Sequence, residues 1–322
     1  MWLHRYAKLV SAATVLLIVA GGLVTSTGSG LAVPDWPTSY GWNMFTFPMQ
    51  HMVGGIFYEH GHRLIASGVG FLTIILAFWI WKAEPRRWMR VIGFTALAAV
   101  CVQGLLGGIT VLYFLPTPVS TAHAGLAQIF FCLTVAIALF TSKGWTQPTY
   151  EPVDDRMLRL VATTTTAFIY LQIIVGATMR HSDAGLAIPD FPLVFGGLIP
   201  PVWTPQVAVH YAHRIGAVIV TLAIAATVSH VWYHHSRRSE LRSPAVMLAC
   251  LLLVQVTLGA FVVWSQKNVA INTAHVVVGA LTLATSLVLT LRSHQTRFGD
   301  AAVAMRVRRP VEPHLGRSGA HA

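Results

Sequence analysis

Eight separate stretches of this chain are apolar over the roughly 20 residues that a helix rising 1.5 Å per residue needs to cross about 30 Å of hydrocarbon. They centre on 8–27, 60–80, 91–112, 121–141, 159–179, 210–230, 244–264 and 270–291. A lipid-spanning backbone must satisfy its own polar groups, and runs of this length do so as helices. The sequence therefore predicts an all-α polytopic membrane protein of eight transmembrane helices. Composition agrees. Of 322 residues, 55% are hydrophobic and 10% charged, against about 25% charged in ordinary soluble proteins. That balance excludes a water-soluble enzyme. The first run carries no convincing cleavage signature and reads as a retained span.

The formal charge of +11 suggests nucleic acid until the charges are placed. All but four of the basic residues fall at the N-terminus, between the second and third, fourth and fifth, and sixth and seventh runs, or after the eighth. The exceptions are Arg63, Arg180, Arg214 and Lys267. The positive-inside rule then puts both termini in the cytoplasm. It also makes membrane lipids, not nucleic acid, the partners of the charge. Cys101, Cys132 and Cys250 lie inside apolar runs and form no disulfide or metal framework.

The two halves repeat. Gly30-Leu31-Ala32-Val33-Pro34-Asp35-Trp36-Pro37 returns as Gly185-Leu186-Ala187-Ile188-Pro189-Asp190-Phe191-Pro192. His62-Arg63 returns as His213-Arg214, Gln103 with Gly107-Gly108 as Gln255 with Gly259-Ala260, and Ala122-His123 as Ala274-His275. Four spans per half put both halves the same way up, so the expected architecture is two parallel-repeated four-helix bundles. The expected division is 1–141, a cytoplasmic linker 142–158, 159–291 and a flexible cytoplasmic tail 292–322. Asp35 and Asp190 read as turn formers in the outer loops. The glutamines of the Gln-x-x-x-Gly pattern at 103, 172 and 255 read as packing residues.

Fifteen histidines are present, and most read as surface residues, including His4, His230, His234 and His235. His62, His123, His213 and His275 differ. Each opens a span at matching depth near the outer face, in repeat-related pairs. Ionisable residues in a membrane face a bundle interior or cavity. Two imidazoles on facing helices can bind iron from both sides of a flat macrocycle. The pattern predicts two porphyrin sites, His62 with His123 and His213 with His275. No repeated carboxylate or cysteine set closes a tetrahedral zinc site; copper stays chemically open. Glu59 lies three residues before His62, whereas His210 takes that place before His213. One carboxylate in one half points to two jobs, a substrate site and a fixed electron-transfer cofactor. Arg63 and Arg214 are suited to macrocycle propionates, lipid headgroups or the outer loops.

These residues resemble the haem A synthase family, of CtaA/COX15 type, over roughly 8–291. The resemblance rests on the eight spans, Glu59-His60-Gly61-His62-Arg63, Ala122-His123-Ala124-Gly125, Ala212-His213-Arg214, Thr273-Ala274-His275 and the two Gly-Leu-Ala-x-Pro-Asp segments. It implies an oxidoreductase that converts haem O to haem A, oxidising the C8 methyl to a formyl group through hydroxylated intermediates with oxygen from water. It implies substrate haem between His62 and His123, haem b (iron protoporphyrin IX) between His213 and His275, and Glu59 as a catalytic residue. Implied partners are haem O synthase (protohaem farnesyltransferase), haem-copper oxidase assembly factors and an electron acceptor. The implied location is a bacterial-type cytoplasmic (inner) membrane. Residues 28–59 lack the cysteine pair that many members carry there. The main competing function is a bis-histidine haem-b electron-transfer protein linked to quinone; a transporter is a further one.

Overall fold

The computed structural model describes residues 1–298. It is all-helical, with no β-strand among those residues. The helices are α1 (Trp2–Ser26), α2 (Gly55–Ala83), α3 (Arg87–Leu112), α4 (Thr117–Phe140), the single turn α5 (Lys143–Thr146), α6 (Arg156–His181), α7 (Pro205–His235), α8 (Ser239–Trp264) and α9 (Val269–Ser293). All but α5 are long and apolar enough to span a membrane.

Local chemistry explains several ends. The Asp155 carboxylate accepts from the N–H of Leu158 and caps α6. Thr204 does the same for α7 ahead of Pro205 at its start, and Asn268 caps α9. Each supplies an acceptor to a helix N-terminus whose first amides have no partner within the helix. α2 and α7 begin about five residues before the apolar runs expected for them. Glu59 and His210 therefore sit on helix, not in loop.

α1 to α4 pack as a ring in which each helix lies against two neighbours, and α6 to α9 form a second ring. Across each ring the diagonal pairs, α2 with α4 and α7 with α9, make almost no backbone approach. The rings meet through α1 and α4 against α6 and α9. Hydrocarbon gives helices no hydrophobic reason to associate, so close fit and polar bonds must hold this seam. A Cβ on Gly125 would stand 2.6 Å from Ile174 Cδ1, and one on Gly22 would stand 3.0 Å from Thr273 Cγ2. Arg180 donates across the seam to the carbonyl of Gly22 (2.9 Å) and to Ser26 Oγ (2.8 Å).

The segment expected to be loose from 292 begins ordered. α9 runs to Ser293, a 3-10 turn follows, and Phe298 packs among Trp88, Phe140 and Trp145. An aromatic ring within reach of a three-ring pocket outweighs the basic, unpatterned sequence around it. The remainder of that segment lies outside the described residues.

Candidate functional site: two histidine pairs across the diagonals

His62 stands on α2 and His123 on α4, the diagonal pair of the first ring. His213 on α7 and His275 on α9 hold the same places in the second. In each half the two histidines thus stand on helices that face one another across the ring. All four imidazoles are surrounded by protein yet keep accessible surface. The Nδ1 atoms of His62, His123 and His275 are buried without a hydrogen-bond partner. Buried polar nitrogens are normally paired, so these three stand out as exceptions in equivalent places.

Each ring sets its Cε1 corner against a glycine of the neighbouring helix. A Cβ on Gly21 would stand 3.1 Å from His62 Cε1, on Gly107 3.2 Å from His123 Cε1, on Gly176 2.9 Å from His213 Cε1, and on Gly259 3.2 Å from His275 Cε1. Carbon atoms rest at about 3.5–4.0 Å, so at all four positions a side chain would push the imidazole. These glycines occupy corresponding positions in the two halves.

The glutamines read from sequence as packing residues belong to the site. Gln103 donates to the carbonyl of His123 (2.9 Å). Gln172 Nε2 reaches the carbonyl of His213 (2.7 Å) and its Nδ1 (3.0 Å). Gln255 Nε2 lies 3.4 Å from His275 Nε2. The position in α1 corresponding to Gln172 is Leu17, so His213 is anchored at its ring and His62 is not. No local signal ties Gln172 to His213, because they lie on different helices.

Glu59, Arg63, His210 and Arg214 clasp the outer loops. Glu59 Oε2 accepts from the Val33 N–H (2.8 Å) and Oε1 pairs with Arg63 (2.6 Å). Arg63 also donates to the carbonyls of Val33, Asp35 and Thr38. In the second half His210 meets the Ile188 N–H (3.3 Å) and Arg214 (3.2 Å), while Arg214 donates to the carbonyls of Ile188, Asp190 and Leu193. The two clasps are equivalent residue for residue. They differ in strength, because an ionised carboxylate accepts at both oxygens and a neutral imidazole at one nitrogen. Of the partners open to the arginines, the structure places both on loop carbonyls.

Asp35 and Asp190 are turn formers. Asp35 accepts from the N–H groups of Tyr40 (2.7 Å) and Gly41 (2.9 Å), and Asp190 from those of Phe195 (2.8 Å) and Gly196 (2.8 Å). Burial pushes the Asp35 carboxyl up, but the donors of Gly41, Thr38 and Tyr40 outweigh it and hold it below the usual range. The Gly196 N–H, with that of Phe195, holds Asp190 low. Each turn presents an aromatic ring to its bundle. Trp36 lies so close over α3 that a Cβ on Gly108 would stand 2.4 Å from Trp36 Cδ2. The equivalents are the smaller Phe191 and Ala260. The indole needs glycine beneath it, whereas Phe191 meets Trp264 with ring centroids 6.0 Å apart.

A model of the COX15-CtaA family, described as cytochrome oxidase assembly protein, matches residues 4–287. The chain belongs to the COX15-CtaA family. Its relatives include the heme A synthase of Geobacillus kaustophilus (strain HTA426), 28% identical over 85% of this chain and 86% of that protein. The heme A synthase of Alkalihalophilus pseudofirmus (strain ATCC BAA-2126 / JCM 17055 / OF4) is 28% identical over 86% and 92%. That of Rhizobium etli (strain ATCC 51251 / DSM 11541 / JCM 21823 / NBRC 15573 / CFN 42) is 27% identical over 80% of each chain.

Proposed function

We propose that this protein is a haem A synthase of a bacterial-type cytoplasmic membrane, with both termini on the cytoplasmic side. Its substrate is haem O and its product haem A. The C8 methyl becomes a formyl group in two two-electron oxidations, with water as the oxygen source and an electron acceptor outside the chain. The observation that carries the reading is the pair of diagonal imidazole couples, each inside a four-helix ring whose diagonal helices stand apart.

The residues fit haem. Histidine is an accepted axial ligand, the surrounding helices are apolar, and three ring nitrogens are buried with no protein partner. His213 and His275 would hold haem b as the resident group, which supplies one-electron redox chemistry when bound. Gln172 holds the His213 carbonyl, and with its amide oxygen turned to accept from Nδ1–H it would fix the ring and leave Nε2 free for the iron of a permanently held haem. His62 and His123 would hold the substrate. With leucine in place of that glutamine, the His62 ring keeps the freedom that entry and exit of a macrocycle require. The 1–141 and 159–291 halves thus become the substrate and cofactor halves.

Glu59 holds the loop with Oε2 and Arg63 with Oε1. We assign Oε2, the oxygen outside the ion pair, as the acceptor of the proton that leaves the attacking water. Arg63 keeps the carboxylate charged and aimed until then. The implied pathway partners are a haem O synthase upstream and oxidase assembly factors downstream.

That Glu59 already has partners at both oxygens is what the haem-b electron-transfer reading expects of a structural residue. One experiment separates the two. The protein is expressed in a host that makes haem O but no haem A, and its extracted haems are identified by mass. Haem A beside haem b establishes the synthase; haem b alone establishes the cytochrome.

A further inference from the structure

At the bundle end opposite the outer loops, Asp155 and two histidines from α7 converge. Asp155 Oδ1 caps α6 through the Leu158 N–H (2.9 Å). Its other oxygen, Oδ2, lies 2.8 Å from His230 Nε2 and 2.8 Å from His235 Nε2. The three atoms all lie within 4.8 Å of one another. Among the described residues no lysine or arginine pairs with this carboxylate. The two imidazole rings are partly buried, with centroids 5.9 Å apart.

We propose that Asp155, His230 and His235 bind a divalent first-row transition metal, with zinc the natural probe. Two imidazoles and one carboxylate are the donor set that zinc takes with three protein ligands, leaving a fourth position to water. Magnesium and calcium are disfavoured because they want oxygen donors and only one side chain here supplies them. The geometry is close to what a metal needs. Bonds near 2.0–2.1 Å put tetrahedral donors about 3.3 Å apart, so the donors now at 2.8 Å need to spread by about 0.5 Å. Both rings can do so by moving their proton to Nδ1, which frees the Nε2 lone pair without changing net charge. The carboxylate is already fixed by its capping bond, so its ordering is complete before metal arrives. The consequence is mechanical. A metal here ties the start of α6 to the end of α7, the two helices that carry Gln172, Gly176 and His213. It would stiffen the second ring from the end remote from the histidine pair, because binding only the folded arrangement stabilises it.

The test uses full-length, haem-loaded protein purified in detergent with a histidine-free tag and treated with chelator. Zinc is titrated against a chromogenic competitor, and its edge X-ray absorption is recorded. The expected result is one tight equivalent with a nitrogen/oxygen shell near 2.0 Å that includes imidazole scattering. Affinity should fall at least tenfold in Asp155→Asn and in His235→Ala, and stay unchanged in His51→Ala. Asparagine still caps a helix, so Asp155→Asn keeps the fold, and an unaltered haem spectrum verifies this. Zinc should raise the Tm of the parent protein and not that of Asp155→Asn. Equal zinc affinity in the parent and Asp155→Asn, or no equivalent bound by the parent, overturns the proposal.

Discussion

Gly176 offers the sharpest test of the imidazole placement. Replacing it with alanine puts a methyl carbon 2.9 Å from His213 Cε1 and 3.3 Å from its Nδ1. The closest comfortable carbon contact is about 3.5 Å, so the ring must withdraw by about 0.6 Å or more. His213 cannot swing freely, because Gln172 holds both its ring and its carbonyl. A bond from this ring to the iron of the proposed haem would not survive that displacement unstrained. The helix itself gains, since alanine is better than glycine in a helix interior by up to about 1 kcal/mol. Overpacking costs about 1–3 kcal/mol. The net loss of stability is therefore about 0–2 kcal/mol, and the fold persists. The expected result is normal expression and helicity with reduced haem retention and a shift from low-spin towards high-spin absorption. Gly104→Ala is the control, because a Cβ there meets nothing within 4 Å; it should match the parent. Full haem content with an unshifted spectrum in Gly176→Ala would refute the idea that this glycine seats the ligand.

Gln172→Leu copies the first half's Leu17 into the second. It removes two bonds worth about 0.5–1.5 kcal/mol each and should speed haem loss from the second site in a transfer assay to apomyoglobin. Glu59→Gln should keep both histidine pairs but leave haem O or a hydroxylated product in the extract; normal haem A at normal protein level would remove Glu59 from the chemistry. Arg214→Ala should expose 182–204 to limited proteolysis more than Arg63→Ala exposes 27–54, because Glu59 still holds Val33 in the latter. The Asp190 turn should fail in acid. Its carboxyl is held low in the folded loop, so the turn is intact above the ordinary carboxylate range and opens as pH falls through the lowered value. Cleavage within 182–204 should rise in that acid window and not at neutral pH.

Much of this protein is legible without coordinates because a bilayer leaves few choices. Each span announces itself by apolar length. The helix starts were harder. The expected run begins at 60 and leaves Glu59 just outside it, but α2 takes Glu59 in because Arg63 and the Val33 N–H supply partners for its carboxylate at the helix end. The four candidate histidines stood out through repetition: one imidazole in a span has several readings, while two pairs at nearly one offset have few. Their support did not. Gly176 meets His213 only after two helices pack, and nothing in the residues between them records that meeting. Gln172 looked like a packing residue because its neighbours are small. Glu59 and His210 were visible as a difference between halves, but their shared task of holding the outer loop needs the loop carbonyls and amides in place. His230 and His235 read as surface residues because their partner, Asp155, lies on another helix, and no sequence spacing connects them.

Haem stoichiometry tests the central claim most directly. The parent protein and the four variants His62→Ala, His123→Ala, His213→Ala and His275→Ala would each be purified from cells that supply haem O, and every haem counted and identified per chain. The account predicts that His213→Ala and His275→Ala lose haem b, while His62→Ala and His123→Ala keep haem b and lose the farnesylated haem. Four variants with the parent's haem content and spectrum would contradict it.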